Sequence, residues 1–221
     1  MAEAKSSQAQ KAYESIRDEI VLQHLTPGAI IVESEYGEKL GMSRTPVREA
    51  LKRLASEGFL TIVPRKGAIV KSYSPRDMMM CHDIAKEVDG ALAESLAQRV
   101  ASGSLSREAL QPLFTLLDEM DQLLREERIK EWTACDSRFH ELLMELCDNP
   151  YIVMCASQLR MHLTRVLWFV TPTHIDKQAS NQEHRAVAEA IAAGEPEQAR
   201  EAARRQSIRI RQELERTFGP L

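Results

Sequence analysis

Apolar positions in the first 71 residues fall into three successive patterns. Ala9, Tyr13, Ile16 and Ile20, with Val21, recur at helical spacing and predict a helix from about Gln8 to His24, which Thr26-Pro27-Gly28 breaks. A short second helix is predicted from about Ser34 to Leu40, and Gly41 supplies the permissive backbone at its end. Ser43 then stands at an N-cap position and Pro46 lies in the first turn of a third helix, where a missing N–H costs little. Val47, Leu51, Leu54 and Ala55 form the buried face of that helix; Arg44, Arg48, Lys52 and Arg53 form the other. Phe59 to Val63 is β-branched and apolar, Pro64-Arg65-Lys66-Gly67 is a turn with two cations, and Ala68-Ile69-Val70 returns as a second strand. On composition alone the two short helices could be an ordinary hairpin with a solvated basic face. The basic-tipped hairpin that follows points instead to a winged helix-turn-helix, and so to DNA binding.

Beyond residue 71 no strand signal appears. Lys71-Ser72-Tyr73-Ser74 reads as a domain boundary, and Ser74-Pro75-Arg76-Asp77 as a helix start with serine cap, early proline and first-turn acid. The same punctuation recurs at Asn149-Pro150 and Glu195-Pro196. Six helices are expected, roughly 75–102, 106–126, 128–148, 150–169, 178–193 and 196–217, separated mostly by Gly103, Asn149, Thr171-Pro172-Thr173 and Gly194. The expected fold is therefore mainly α. A disordered tail over 1–7 precedes a winged helix-turn-helix domain over 8–71. A linker at 72–75 leads to an all-α bundle over 76–217, large enough for its own core. Met78, Met79 and Met80 are assigned to helix core or a domain contact.

Charge sharpens this division. The chain of 221 residues carries −4 overall, which looks wrong for a nucleic-acid binder. Residues 1–71, however, hold 11 Lys/Arg against 9 Asp/Glu, and the remainder 18 against 24. Within 43–71 seven cations face only Glu49 and Glu57, so the positive field is local. No apolar run approaches the roughly 20 residues that span a bilayer, and the N-terminus lacks an apolar signal core. A cytoplasmic location is expected. Cys81, Cys135, Cys147 and Cys155 form no CxxC pair, which excludes a zinc ribbon and suits reduced thiols.

Four polar residues interrupt apolar stripes of the bundle. Asp136 and His140, four apart, share a face with Trp132, Leu143 and Cys147. His184 lies with Val187, Ala188 and Ile191, and Gln206 lies between Ala203 and Ile210. Buried polar groups need partners, and either a hydrogen-bonded core cluster or a ligand set would supply them. His162 and Arg165 flank the stripe Ile152, Ala156, Leu159, Leu163 and Val166. They are candidates for holding an anionic effector, or else the solvated edge of an amphipathic helix.

Leu25, Pro27-Gly28, Glu33, Leu40-Gly41, the run SRTPVREAL from Ser43 to Leu51, Arg53-Leu54, Glu57-Gly58 and Gly67 together resemble the GntR family of bacterial transcription regulators. Tyr36-Gly37 stands where the family usually has Leu-Ala, and Ser34 where some members carry a DNA-contacting Arg. On this reading Ser43, Arg44 and Thr45 lie nearest the bases, with Arg44 or Arg48 as the guanine reader. Lys52, Arg53, Arg65 and Lys66 hold phosphates, and Gly67 allows close backbone approach. The bundle resembles the FCD domain, the ligand-sensing partner of one GntR subfamily. Metal-binding FCD domains use an Asp-x-x-x-His pair and two later histidines; Asp136, His140 and His184 match three places, and Gln206 takes the fourth. The resemblance implies a possible divalent ion of zinc, nickel or manganese type, a small organic-acid effector, a homodimer and a palindromic operator in double-stranded DNA. It also implies repression relieved by the effector. The alternatives are a metalloregulator with the ion itself as signal, or a metal-dependent enzyme fused to a DNA-binding module. No recognisable general base or nucleophile motif accompanies the cluster, so no catalytic residue is assigned.

Overall fold

A computed structural model of the chain describes residues 2–21, 24–72, 75–160, 163 and 175–219, with side chains from residue 8 onward except at 21, 75 and 78. It divides into two compact units, Met1–Ser74 and Pro75–Leu221.

The first unit contains α1 (Ala2–Val21), β1 (Ile30–Ile31), α2 (Glu33–Leu40), α3 (Arg44–Ser56), β2 (Leu60–Val63) and β3 (Gly67–Val70). Helix α1 begins at Ala2, so residues 2–7, expected to be a disordered tail, continue the helix. The three strands form an antiparallel sheet in the order β1-β3-β2, with Leu60 opposite Val70 and Val63 opposite Gly67. The hairpin was expected; β1 was not, because two residues carry no periodic signal. Ile31, Leu60, Ala68 and Val70 from the sheet are buried, as are Ala12, Tyr13, Ile16 and Ile20 of α1 and Val47, Ala50, Leu51 and Leu54 of α3. Those four positions of α3 put one face of the helix against α1 and leave its opposite face to solvent.

The departures at Tyr36 and Gly37 have local reasons. Tyr36 is buried and its hydroxyl donates to Glu19 of α1 at 2.7 Å. A Cβ on Gly37 would stand 2.9 Å from the Met42 carbonyl oxygen, where the chain doubles back between α2 and α3.

The second unit contains α4 (Pro75–Ala101), a 3-10 turn (Glu108–Leu110), α5 (Gln111–Arg125), α6 (Ile129–Leu146), a helix α7 over 150–160, α8 (Lys177–Ala193) and α9 (Pro196–Phe218). Helix α5 starts later than expected: a 3-10 turn, beside which Ser106 Oγ accepts from Ala109 N–H, comes first, and Pro112 lies in the first α-helical turn. Helix α9 packs along α4 and α8, and α5 along α6 and α8. Leu92, Leu96, Leu113, Leu117, Trp132, Phe139, Val187 and Ile191 form the core. Met79 is part of the buried set, whereas Met80 is exposed. The expected break at Thr171-Pro172-Thr173 and the distal part of the helix expected over 150–169 lie outside the described residues. Among the described residues no helix is long and apolar enough to cross a membrane.

Candidate DNA-reading face and candidate metal cavity

The exposed face of α3 and the β2–β3 turn enclose a groove of about 430 Å³. Arg44, Arg48, Lys52, Arg65 and Lys66 line it, and Glu33 is its one lining carboxylate among the described residues. Ser43 occupies the N-cap in an extended conformation, but its hydroxyl makes no capping bond. Ser43, Arg44 and Thr45 are all exposed at the start of α3. Free donors and a helix N-terminus therefore face outward together, an arrangement suited to anionic phosphates and base edges.

Two of the expected contacts are engaged within the protein. Arg48 donates from Nε and Nη2 to Glu33 at 2.7 to 2.9 Å, and this pairing holds the Glu33 carboxyl below its usual range. The Arg48 side chain is largely exposed, so the pair is screened by solvent and is a weak constraint on it. Arg53 does not line the groove. Its guanidinium lies 3.8 Å from the centre of the Tyr13 ring and donates to Gln10 and Glu57, tying α3 to α1. In the free protein Arg53 is thus held toward α1, with its side chain about half exposed.

The wing turn also has a different logic from the one expected. Lys66 N–H donates to Val63 carbonyl at 3.1 Å, Pro64 follows Val63, and Arg65 has φ +64°. This is a type II turn with proline first and a left-handed second residue, a place where glycine or asparagine is usual. Gly67 has φ +104°, and a Cβ there would lie 2.2 Å from the Ile31 carbonyl oxygen. Its lack of a side chain therefore serves the approach of β1 to β3, a sufficient reason without DNA.

In the bundle, Asp136 and His140 on α6 meet His184 on α8 and Gln206 on α9, and all four are buried. One ligand atom from each of Asp136, His140 and His184 lies within 4.8 Å of the other two. His184 Nε2 is 3.2 Å from His140 Nε2 and 3.4 Å from Asp136 Oδ1. His184 Nδ1 is 2.6 Å from the Ser180 carbonyl oxygen, which fixes the proton on Nδ1 and leaves the Nε2 lone pair facing the cluster. That lone pair faces both His140 Nε2 and Asp136 Oδ1, so it can accept a proton from either side chain or bind a cation. Burial pushes the Asp136 carboxyl up, with His184 and Arg160 opposing. Burial pushes His140 well down and lowers His184, so both imidazoles are neutral and ready to ligate. The Gln206 amide nitrogen is 3.3 Å from His184 Nε2; rotating the amide puts its oxygen there instead. The donor set fits a divalent cation with three strong ligands and one weak oxygen.

A cavity of about 20 Å³ opens beside this cluster, room for a single water. Besides Asp136, His140 and Gln206 its lining includes His82 of α4 and Arg160 of α7, which sequence reasoning missed. His82 was legible: with Met79, Ala85, Leu92 and Leu96 it follows the buried stripe of α4 at steps of three, three, seven and four residues. Arg160 had no such signal: it is one of two arginines, with Arg165, in the helix read over 150–169. The expected effector residues His162 and Arg165 lie outside the described residues.

Comparison with known proteins agrees with both units. The family description "Bacterial regulatory proteins, gntR family" matches residues 8–70, and "FCD domain" matches residues 87–206. An uncharacterised HTH-type transcriptional regulator of Agrobacterium vitis, from the TAR-I ttuE-ttuC' intergenic region, is 35% identical over 147 residues, or 66% of this chain and 80% of that protein. A second such regulator, from an unstable DNA locus of Streptomyces ambofaciens, is 28% identical over 92% of this chain and 84% of its own length. The solved structure of E. coli McbR/YncC superposes with a TM-score of 0.74 at 21% identity, covering 96% of this chain and 98% of that one. These families and relatives are regulators, and the reading as a metal-dependent enzyme is set aside. The chain belongs to the gntR family of bacterial regulatory proteins, as a DNA-binding transcription regulator with a C-terminal FCD domain.

Proposed function

We propose that this regulator is a dimeric repressor that releases a palindromic operator when a small organic acid binds in its bundle, within the cytoplasm. The observation that carries the DNA half is the groove between α3 and the wing, where five cations face one carboxylate. On this reading α3 enters the major groove. Arg44, with Arg48, reads guanine, while Ser43 and Thr45 contact neighbouring base edges or phosphates. Lys52, Arg65 and Lys66 hold the backbone, and two copies supply the affinity that one small module lacks. Repression is supported by relatives described as a probable D-xylose utilization operon transcriptional repressor (25% identical) and a gluconate operon transcriptional repressor (30% identical).

Asp136, His140 and His184 would hold a divalent ion, with Gln206 as a weak fourth ligand. When bound, the ion would supply positive charge and open positions for a ligand oxygen. Elemental mass spectrometry of protein purified without chelator or nickel column tests this. Near one equivalent per chain supports the metal site; none after soaking removes it and leaves a polar core. Operator binding is tested by mobility shift with a palindromic and a half-site duplex. Equal affinity for the two would sink the dimeric reading.

A further inference from the structure

The groove between α3 and the wing is built from cations, yet one acid stands in its wall. Glu33 lines it beside Arg44, Arg48 and Lys52 of α3 and Arg65 and Lys66 of the wing. A carboxylate there repels the phosphates that those cations attract, so its presence needs a reason. Its backbone is braced from both sides. Ile31 of β1, two residues earlier, pairs with Ala68 of β3, and the Val32 carbonyl between them accepts from Tyr36 N–H at 3.1 Å to close the first turn of α2. Arg48 is the opposite case, a long side chain 55% exposed on α3 against 27% for Glu33. Such a side chain has much rotamer freedom to lose before it can hold one direction.

The pair between them is one-sided. Arg48 Nε lies 2.9 Å from both Glu33 oxygens and Nη2 lies 2.7 Å from Oε2, so the carboxylate grips the side edge of the guanidinium. These bonds keep Glu33 ionised, and Arg44 and Lys52 add to that. Nη1 makes no hydrogen bond among the described residues, so of five planar donors the two on Nη1 and the second on Nη2 remain. Nη1 and Nη2 each direct one of these N–H groups beyond the end of the side chain, in parallel, which is the fork that matches guanine O6 and N7. Arg48 therefore keeps a whole guanine-reading edge while Glu33 holds it. Solvent weakens the pair in the free protein, but DNA that covers the groove expels that water and strengthens it. Releasing Arg48 at that point would strand the Glu33 carboxylate among phosphates.

We propose that Glu33 is the positioning residue for Arg48: it holds the side edge of the guanidinium, aims the end fork at guanine, and stays paired when DNA binds. The inference rests on the reading above, in which Arg48 reads guanine, and adds what aims it. Glu33 itself touches no base. Its bonds favour the one sequence that presents guanine to the fork, while its charge weakens attraction to every sequence. Both effects widen the gap between operator and other DNA.

The test uses the full-length protein and a pool of random-sequence duplexes, from which wild type selects its preferred site. Affinity is then measured for that duplex, for its single-base-pair variants and for a scrambled duplex. Arg48→Ala marks the base pair that Arg48 reads, as the position where discrimination falls. At that base pair Glu33→Ala should lose about twofold to tenfold of discrimination, the scale of immobilising one long side chain, with other positions unchanged. Its affinity for the scrambled duplex should rise by a few-fold and fall more steeply with salt, since a freed Arg48 meets a phosphate. Glu33→Gln keeps one acceptor at the same reach and should lie between Glu33→Ala and wild type. Added to Arg48→Ala, Glu33→Ala should cost no further discrimination. Glu33 variants with wild-type discrimination at the Arg48 base pair overturn the proposal and leave the reading of Arg48 standing. So does a Glu33→Ala protein that binds the selected duplex more tightly than wild type at raised salt, where the lost charge is screened, because Glu33 would then be a competitor that Arg48 must leave. Arg48→Ala with unchanged base preference overturns both. Should Glu33→Ala fail to fold, Glu33→Gln decides alone.

Discussion

On the proposed reading, single side chains would divide the DNA-reading labour in ways that can be separated by measurement. Arg44 is exposed at the start of α3 and shares the groove with Lys66 on the wing. Arg44→Ala should cost about 1–3 kcal/mol of binding and relax preference at one base position. Lys66→Ala should weaken all sequences alike and reduce the slope of log affinity against log salt by about 1. Salt titrations on operator and scrambled duplexes check this, and identical behaviour of the two variants would refute the division. In the bundle, Gln206→His should raise zinc affinity by about tenfold or more, since imidazole replaces an amide oxygen at a corner that already faces His184. His82 is a further residue with a readable signature. Burial, with Arg160 adding to it, pushes its imidazole from an ordinary 6.5 down to about 3. Between those values the unfolded chain binds a proton that the folded chain refuses, so this contribution is whole above pH 6.5 and is lost as pH falls toward 3. Metal-free wild type should therefore lose stability from pH 7 to 5 more steeply than His82→Leu, by up to about 1.4 kcal/mol per pH unit. Denaturant melts at a series of pH values measure the difference in slope.

At the scale of elements, the wing depends on two backbone positions rather than on its core. Gly67 has no room for a methyl group against Ile31 and sits at φ +104°. Gly67→Ala should pry β1 from β3, destabilise the first unit by about 2 kcal/mol or more, and abolish operator binding. Far-UV melting resolved by calorimetry should show the bundle transition unchanged. Arg65 is the opposite case: it holds a left-handed conformation at a cost of about 1 kcal/mol. The bundle helices, by contrast, follow their punctuation closely. Asp176 accepts from Ala179 N–H at the start of α8, and Gly194 ends that helix in the left-handed region. A glycine stop is a local signal, which is why the end of α8 at Gly194 was legible, whereas the Asp176 cap was not read from the sequence. Strand β1 was not, because Ile30 and Ile31 are a strand only by pairing with Ile69 and Ala68 across some forty residues.

For the whole molecule, the chain divides into two compact units, so a change in the stability of one is read in that unit's own melting transition. Chelation should lower the melting temperature of the bundle alone if an ion is bound there, because a ligand stabilises only the state that holds it. A single-transition melt shifting as one would argue for tight coupling of the units.

The sequence by itself determined the class of this protein. The run SRTPVREAL, the basic face of α3 and the change from helical spacing to a β-branched apolar run at Phe59 are local, and their chemistry reads in order along the chain. Periodicity also put Asp136, His140, His184 and Gln206 on core-facing stripes. Only the tertiary structure decided who faces whom. It turned Arg53 onto Tyr13, closed Arg48 onto Glu33, assigned Gly67 to β1, and set His82 and Arg160 from two further helices against the cluster. A helix face constrains the direction of a side chain, but its partner is chosen by packing across the bundle, over separations such as the 71 residues from Asp89 to Arg160. No local pattern carries that information.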